Sequence, residues 1–141
     1  MPKNNEYDLL LAIMEVGRAD TVPTDGLTDL TGKTVPIIRW QDRTVTGNEP
    51  PIVAIAIVSA TPSQGAPEKL FVTVQFDAIV ERGSEGLEAR IADRILEVMT
   101  VQNFAAESLD VAVDLRQRRS LDGLEEGRRR LSMDVDMAMK R

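Results

Sequence analysis

Two residue types in this chain sit where they could do chemistry, aspartate and arginine, while two that commonly do it are missing. None of the 141 residues is histidine or cysteine. Without histidine the chain lacks the commonest general base and the commonest metal ligand, and without cysteine it has no disulfide and no thiolate site. The aspartates fall at alternate positions of two apolar-polar repeats, Asp110 and Asp114 in one, Asp134 and Asp136 in the other. If those repeats pair as strands, the carboxylates share a face. Two or more of them could then hold a divalent cation through hard oxygen ligands, as a carboxylate-metal enzyme of the nuclease kind would require. Alternating acids are also what any solvated sheet face carries, and their spacing matches no loop-type metal motif. The sequence therefore predicts no catalytic residue, no metal ligand, no cofactor and no enzyme.

The arginines are more concentrated. Arg116, Arg118, Arg119, Arg128, Arg129 and Arg130 flank a single short segment, with Asp122, Glu125 and Glu126 between them. Residues 108–141 hold eight basic and seven acidic side chains, a net of +1, so the first 107 residues account for −7 of the total of −6. A basic hairpin tip on an acidic body has three readings. Nucleic-acid contact is one, although no aromatic residue is interleaved for base stacking. Contact with an acidic neighbour is the second, since arginine suits ion pairs at interfaces. A solvated loop with local salt bridges of little energetic value is the third. These six arginines are the candidate subunit or partner interface.

Other polar residues are read as structural. Ser84 follows Gly83 and lacks both a histidine and a nucleophile-elbow pattern; residues 83–86 are too short for a phosphate loop and contain no lysine. Ser84 is instead expected to cap a helix, with Glu85 in its first turn. Trp40 and Phe104 are expected to pack in the core or at an edge.

The elements that must position these residues follow from hydrophobic periodicity. Leu9, Ile13 and Val16, widened by Leu10 and Met14, predict an amphipathic helix over residues 6–16, capped by Asn4 or Asn5 and closed by Gly17. Residues 18–34 read as a long irregular loop, a length that is uncommon unless functional or mobile. Residues 35–40 form a short strand that Pro36 confines to an edge, and residues 42–51 a turn. Residues 52–60 are apolar on both faces, as in a strand covered on both sides. After a connection at 61–68, Leu70, Val72, Val74, Phe76, Ala78 and Val80 alternate with polar residues. Leu87, Ile91, Ile95 and Val98 then mark a helix whose wet side is Glu88, Arg90, Asp93, Arg94 and Glu97. Finally Leu109, Val111, Val113 and Leu115, and Leu131, Met133, Val135, Met137 and Met139, alternate strictly enough to specify a half-buried antiparallel pair. Residues 118–127 form the exposed loop between them. The sum is a single α+β domain over 1–141, of order α-β-β-β-α-β-β, with a mixed or antiparallel sheet and helices on its apolar face.

Composition bounds the role. Hydrophobic and charged fractions of 43% and 28% are ordinary for one globular domain, which argues against disorder. The negative net charge argues against a protein that grips nucleic acid. No apolar run is long enough to cross a bilayer, and the first residues lack a signal-peptide pattern, so a cytoplasmic protein without membrane contact is expected.

The order of elements resembles the tail-terminator, or tail-completion, proteins of long-tailed bacteriophages, which are related to minor tail proteins. The resemblance spans residues 7–139. Its parts are the helix Leu9-Leu10-Leu11-Ala12-Ile13, the strand entry Glu49-Pro50-Pro51-Ile52-Val53, the strand end Phe76-Asp77, the helix Ala89-Arg90-Ile91-Ala92-Asp93-Arg94-Ile95, and the closing Arg130-Leu131-Ser132-Met133-Asp134-Val135. It implies a structural virion protein, assembled in the host cytoplasm, that forms a homo-oligomeric ring, usually a hexamer. Such a ring seats on the tail tube protein, stops its polymerisation and offers a surface to the head-side connector. It implies no catalytic residue and no specific nucleic-acid binding. A head-completion or connector protein of the neck, and a small α+β ligand-binding or regulatory module, are the alternatives.

Overall fold

A computed structural model describes residues 5–23, 25–65, 68–84, 86–122 and 127–140, with the backbone alone at 115–116 and 119–122. The elements run α1 (Glu6–Arg18), α2 (Leu27–Thr31), β1 (Ile37–Arg39), a 3₁₀ turn (Trp40–Asp42), β2 (Ile52–Pro62), β3 (Lys69–Glu81), α3 (Leu87–Val98), α4 (Val101–Ala106), β4 (Asp110–Asp122) and β5 (Arg128–Lys140). The five strands make one sheet in the order β1-β2-β3-β5-β4. Only β1 pairs in parallel, with β2; the other three pairings are antiparallel. The fold is α+β with a mixed sheet, as the alternating repeats require.

Alternation sorts the strand residues onto two faces. Leu70, Val72, Val74, Phe76, Ala78 and Val80 of β3 share one face with Leu131, Met133, Val135, Met137 and Met139 of β5 and with Val53 and Ile55 of β2. Against this face pack Leu9, Ile13 and Val16 of α1, Leu27 of α2, Ile91, Ile95 and Val98 of α3, and Phe104 of α4. Each large apolar side chain taken from water there stabilises the fold by about 1.5–3 kcal/mol. Among the described residues no α-helix packs on the opposite face; one corner of it is covered, where Trp40 and Ile38 pack on Ile52, Ala54 and Ile79.

Local chemistry sets the helix starts. In α1, the Asp8 backbone N–H donates to Asn5 Oδ1 at 3.0 Å and the Asn5 N–H donates to Asp8 Oδ2 at 3.1 Å, a reciprocal capping box. Gly17 does not close this helix, which continues to Arg18 with Ala19 as its C-cap. Glycine sits instead at a close approach of α1 and β1: a Cβ there would meet the end of the Ile37 side chain, which would have to shift. Nor does Ser84 cap α3. Gly86 at φ 92° takes that position and Glu88 stands in the first turn, while Glu85 lies outside the described residues.

Three further expectations are corrected, and one element was not foreseen. Residues 18–34 are not an irregular loop, because α2 lies inside them and buries Leu27 completely. A second short helix, α4, follows α3, with Thr100 Oγ1 accepting from the Asn103 N–H at 3.2 Å. Residues 118–122 are not loop but the end of β4, pairing with β5 as far as Asp122–Arg129. The strand predicted over 52–60 is covered on both faces only in its first half, since Val58 beyond is 59% exposed. It also carries a bulge between Ile57 and Ser59 that shifts its register against β3.

Candidate functional site: the uncovered face of the sheet

The register of β3, β5 and β4 sets the uncovered face out in rows. Lys69, Lys140 and Asp110 form one end. Next come Phe71, Ala138 and Ala112, then Thr73, Asp136 and Asp114. Gln75, Asp134 and Gln117 follow, then Asp77 and Ser132, then Ile79 and Arg130, and last Glu81 and Arg128.

The four aspartates singled out from sequence therefore do share this face, but they are spread over three rows. Asp110 faces Lys140, Asp134 lies between Gln75 and Gln117, and only Asp114 and Asp136 stand directly opposite each other. Thr73 Oγ1 donates to Asp136 Oδ1 at 2.8 Å. Among the described residues, no three acidic side chains come together in a way that would hold a metal ion.

A fifth carboxylate, Asp77, is fully buried on the same face. It accepts from Gln75 Nε2 at 2.6 Å through Oδ2 and stands opposite Ser132 on β5. Burial pushes its carboxyl above the ordinary range, and the Gln75 and Ser132 side chains and the Arg130 charge offset this only in part. Sequence reasoning placed Asp77 on the polar face but not under cover. Its partner across β2 and β3, Ala54, belongs to the Trp40 corner, for which no periodic signal exists. Phe71 was also missed. It is 50% exposed, and its odd-numbered position, out of phase with Leu70 and Val72, is the signal that marks it as outward-facing.

The six candidate arginines are not one solvated cluster. Register places Arg118 on the covered face opposite Met133, and its Nη1 lies 2.6 Å from Asp93 of α3. Arg129 projects to the same side, with Nε 3.8 Å from Glu88. The expected wet side of α3 is thus partly internal: Glu88 is buried, and it and Asp93 receive hairpin arginines. Arg130 lies on the uncovered face with its guanidinium 5.4 Å from the Trp40 ring centre, where Arg43 also stacks at 4.1 Å. Arg128 is half-buried opposite Glu81. Arg116 falls at the bulge between Leu115 and Gln117, and Arg119 pairs with Ser132; their side chains lie outside the described residues, as do residues 123–126.

A stronger ion pair was not foreseen. Arg94 forks onto Asp20, Nη2 to Oδ1 at 2.5 Å and Nε to Oδ2 at 2.8 Å, and Asp20 also accepts the Leu27 N–H at 2.8 Å. Asp20 is 6% exposed. The Arg94 hydrogen bonds hold its carboxyl below the usual range, and Asp20 in turn raises the guanidinium. This fork ties Asp20, and through it the start of α2 at Leu27, to α3 and serves the fold.

A groove of about 500 Å³ crosses the uncovered face, lined by Phe71, Thr73, Ala112, Asp114, Asp136 and Ala138 among others. It is open to solvent and lies away from the helix–sheet core. Among the described residues no helix is long and apolar enough to cross a membrane. In comparisons with known proteins, the chain matches no family model and no curated protein.

Proposed function

We propose that this chain is a structural assembly protein of a long-tailed bacteriophage, a tail terminator that forms a ring on the tail tube and joins it to the head-side connector. The observation that carries the reading is the architecture of the sheet: one face on which, among the described residues, no α-helix packs, ending in β4, a 13-residue edge strand. An edge of that length presents a row of unpaired backbone N–H and C=O groups, which proteins cover with another chain or guard with charge. A contact between unlike surfaces of identical subunits closes into a ring when its rotation allows. The order of elements, the absence of histidine and cysteine and the open form of the groove suit a surface that binds protein better than one that turns over a small substrate. A neck connector would present similar surfaces.

The test is mass and place. Light scattering of the purified chain is expected to give a multiple of the 15.6 kDa subunit, with ring-shaped particles in negative stain. Added during polymerisation of a tail tube protein, the chain is expected to stop growth and decorate one tube end. A chain that remains monomeric at high concentration and leaves tube length unchanged contradicts the reading.

A further inference from the structure

Three successive rows of the uncovered face differ in charge. At the end of the strands, Lys69 and Lys140 stand side by side on β3 and β5, with Asp110 beyond them on β4. The next row is apolar, made by Phe71, Ala138 and Ala112. The third carries Asp136 and Asp114 directly opposite each other, where like charges cost stability unless a cation comes near. Both lysines, Phe71, Ala112 and Asp114 are exposed. Hollows of about 500 Å³ and 400 Å³ open on the two sides of the apolar row, and its three residues line both.

The charges of the outer rows stay apart within one molecule. Four residues of strand separate Lys140 from Asp136, roughly 13 Å at ~3.3 Å per residue. Among the described residues no ion pair joins the two rows, and neither lysine has an ion-pair partner elsewhere. A patch with ammonium groups at one end, carboxylates at the other and an apolar middle is its own complement, as the surface of a two-fold contact must be.

We propose that two copies of this chain pack face to face here, about a two-fold axis that runs along the apolar row. The apolar row of each copy then meets itself, and the lysine row of each lies over the carboxylate row of the other. Lys140 stands against Asp136 of the second copy, with Lys69 beside it. Asp110 falls against Asp114 of the second copy and opposes the contact. Three strands ~4.8 Å apart and three rows ~6.6 Å apart make a patch of roughly 300 Å², below the ~800 Å² per partner of a stable complex. The contact is therefore weak, and its electrostatic complementarity sets register more than affinity. It does not rest on the ring reading, because it leaves the β4 edge open and closes at two copies.

The chain has no cysteine, so Ala138→Cys places a single thiol on the apolar row, and the two-fold axis brings that thiol to its own copy. A bis-maleimide spanning about 10 Å, the spacing of packed sheets, is expected to link Ala138→Cys into a covalent dimer whose yield rises with concentration. Leu11→Cys on α1, an exposed position outside the patch, is expected to give none. Added to Ala138→Cys, Lys140→Glu and Asp136→Asn are each expected to cut the yield about tenfold, since the two-fold axis repeats each change twice. These two substitutions move the net charge in opposite directions, and asparagine still accepts from Thr73. Asp110→Lys is expected to raise the yield. Circular dichroism is the folding control, and Ala112→Cys on the same row takes the place of Ala138→Cys should that variant fail to fold. No dimer from either row position, or an equal yield from Leu11→Cys, overturns the face contact. Opposite effects of Lys140→Glu and Asp136→Asn, the signature of net charge alone, overturn it too. Light scattering separates the two readings: a ring without the cross-link leaves only the ring standing, and a cross-linked dimer with no larger species supports the face contact and overturns the ring.

Discussion

The two faces of the sheet are built from alternate residues of the same strands, yet they obey different rules. On the covered face, Phe76 and Met133 face each other across β3 and β5, and each is at most 1% exposed beneath the helices. On the other face, five residues earlier in the same strand, Phe71 is 50% exposed beside Ala138. One face is closed by the chain itself and accounts for folding. The other combines a buried carboxylate, a like-charge pair and an exposed aromatic ring, none of which a monomer needs in order to fold. That division places the fold's stability on one side of the sheet and leaves the other for the proposed contact between copies.

The largest expected effect would break the comparison if it failed. Phe76→Ala is expected to cost about 3–5 kcal/mol in urea denaturation, the usual cost of emptying a buried aromatic site. Phe71→Ala is expected to stay within about 0.5 kcal/mol for the monomer, as surface changes do. Equal losses at the two positions would mean that both faces are core. Next in size is the fork that ties Asp20 and the start of α2 to α3. Asp20→Ala leaves Arg94 with only Glu97 and removes the acceptor of the Leu27 N–H, and is expected to cost about 3 kcal/mol. Because the folded carboxyl of Asp20 is held low, its stabilisation is complete above the unfolded pKa of about 3.9 and fades as pH falls through the folded value. The Asp20→Ala deficit, measured by denaturation at pH 7 and at pH 3, is therefore expected to shrink in acid.

A smaller effect of opposite sign sharpens the contrast between the faces. Asp77 is pushed up by burial, so the folded state holds its proton more tightly than the unfolded chain does. Its charged form destabilises the fold at neutral pH, and that penalty disappears below the unfolded pKa, where both states are protonated. Asp77→Asn is accordingly expected to raise the thermal midpoint at pH 7 and to leave it unchanged near pH 3. A lower midpoint at pH 7 would show that the carboxylate is a stabilising member of the uncovered face.

Much of the covered face was legible because alternation with one apolar side admits only one register: Leu70 to Val80 and Leu131 to Met139 lie where their pattern puts them. The helix stripe Leu87, Ile91, Ile95 and Val98 was readable for the same reason. The five residues of α2 and six of α4 are too short for a period to show. The phase of the arginines was hidden by the bulge between Leu115 and Gln117, which puts Arg118 in line with Met133 and within reach of Asp93. Nothing in the residue types there announces an inserted position. The Asp20–Arg94 fork joins positions 74 apart in sequence, and such a pair leaves no local trace. Of the candidate site, the pattern of outward aspartates was visible, whereas the buried state of Asp77 and the groove beside Phe71 required the twist and covering of the whole sheet.

The central claim, that copies of this chain meet through the uncovered side and edge of the sheet, is most directly tested by amide hydrogen exchange at low and high protein concentration. The account predicts that assembly slows exchange in β4 and around Phe71 in β3, with α1 and α3 unchanged. Protection that appears instead on α1 or α3, with β4 exchanging at its monomer rate, would contradict it.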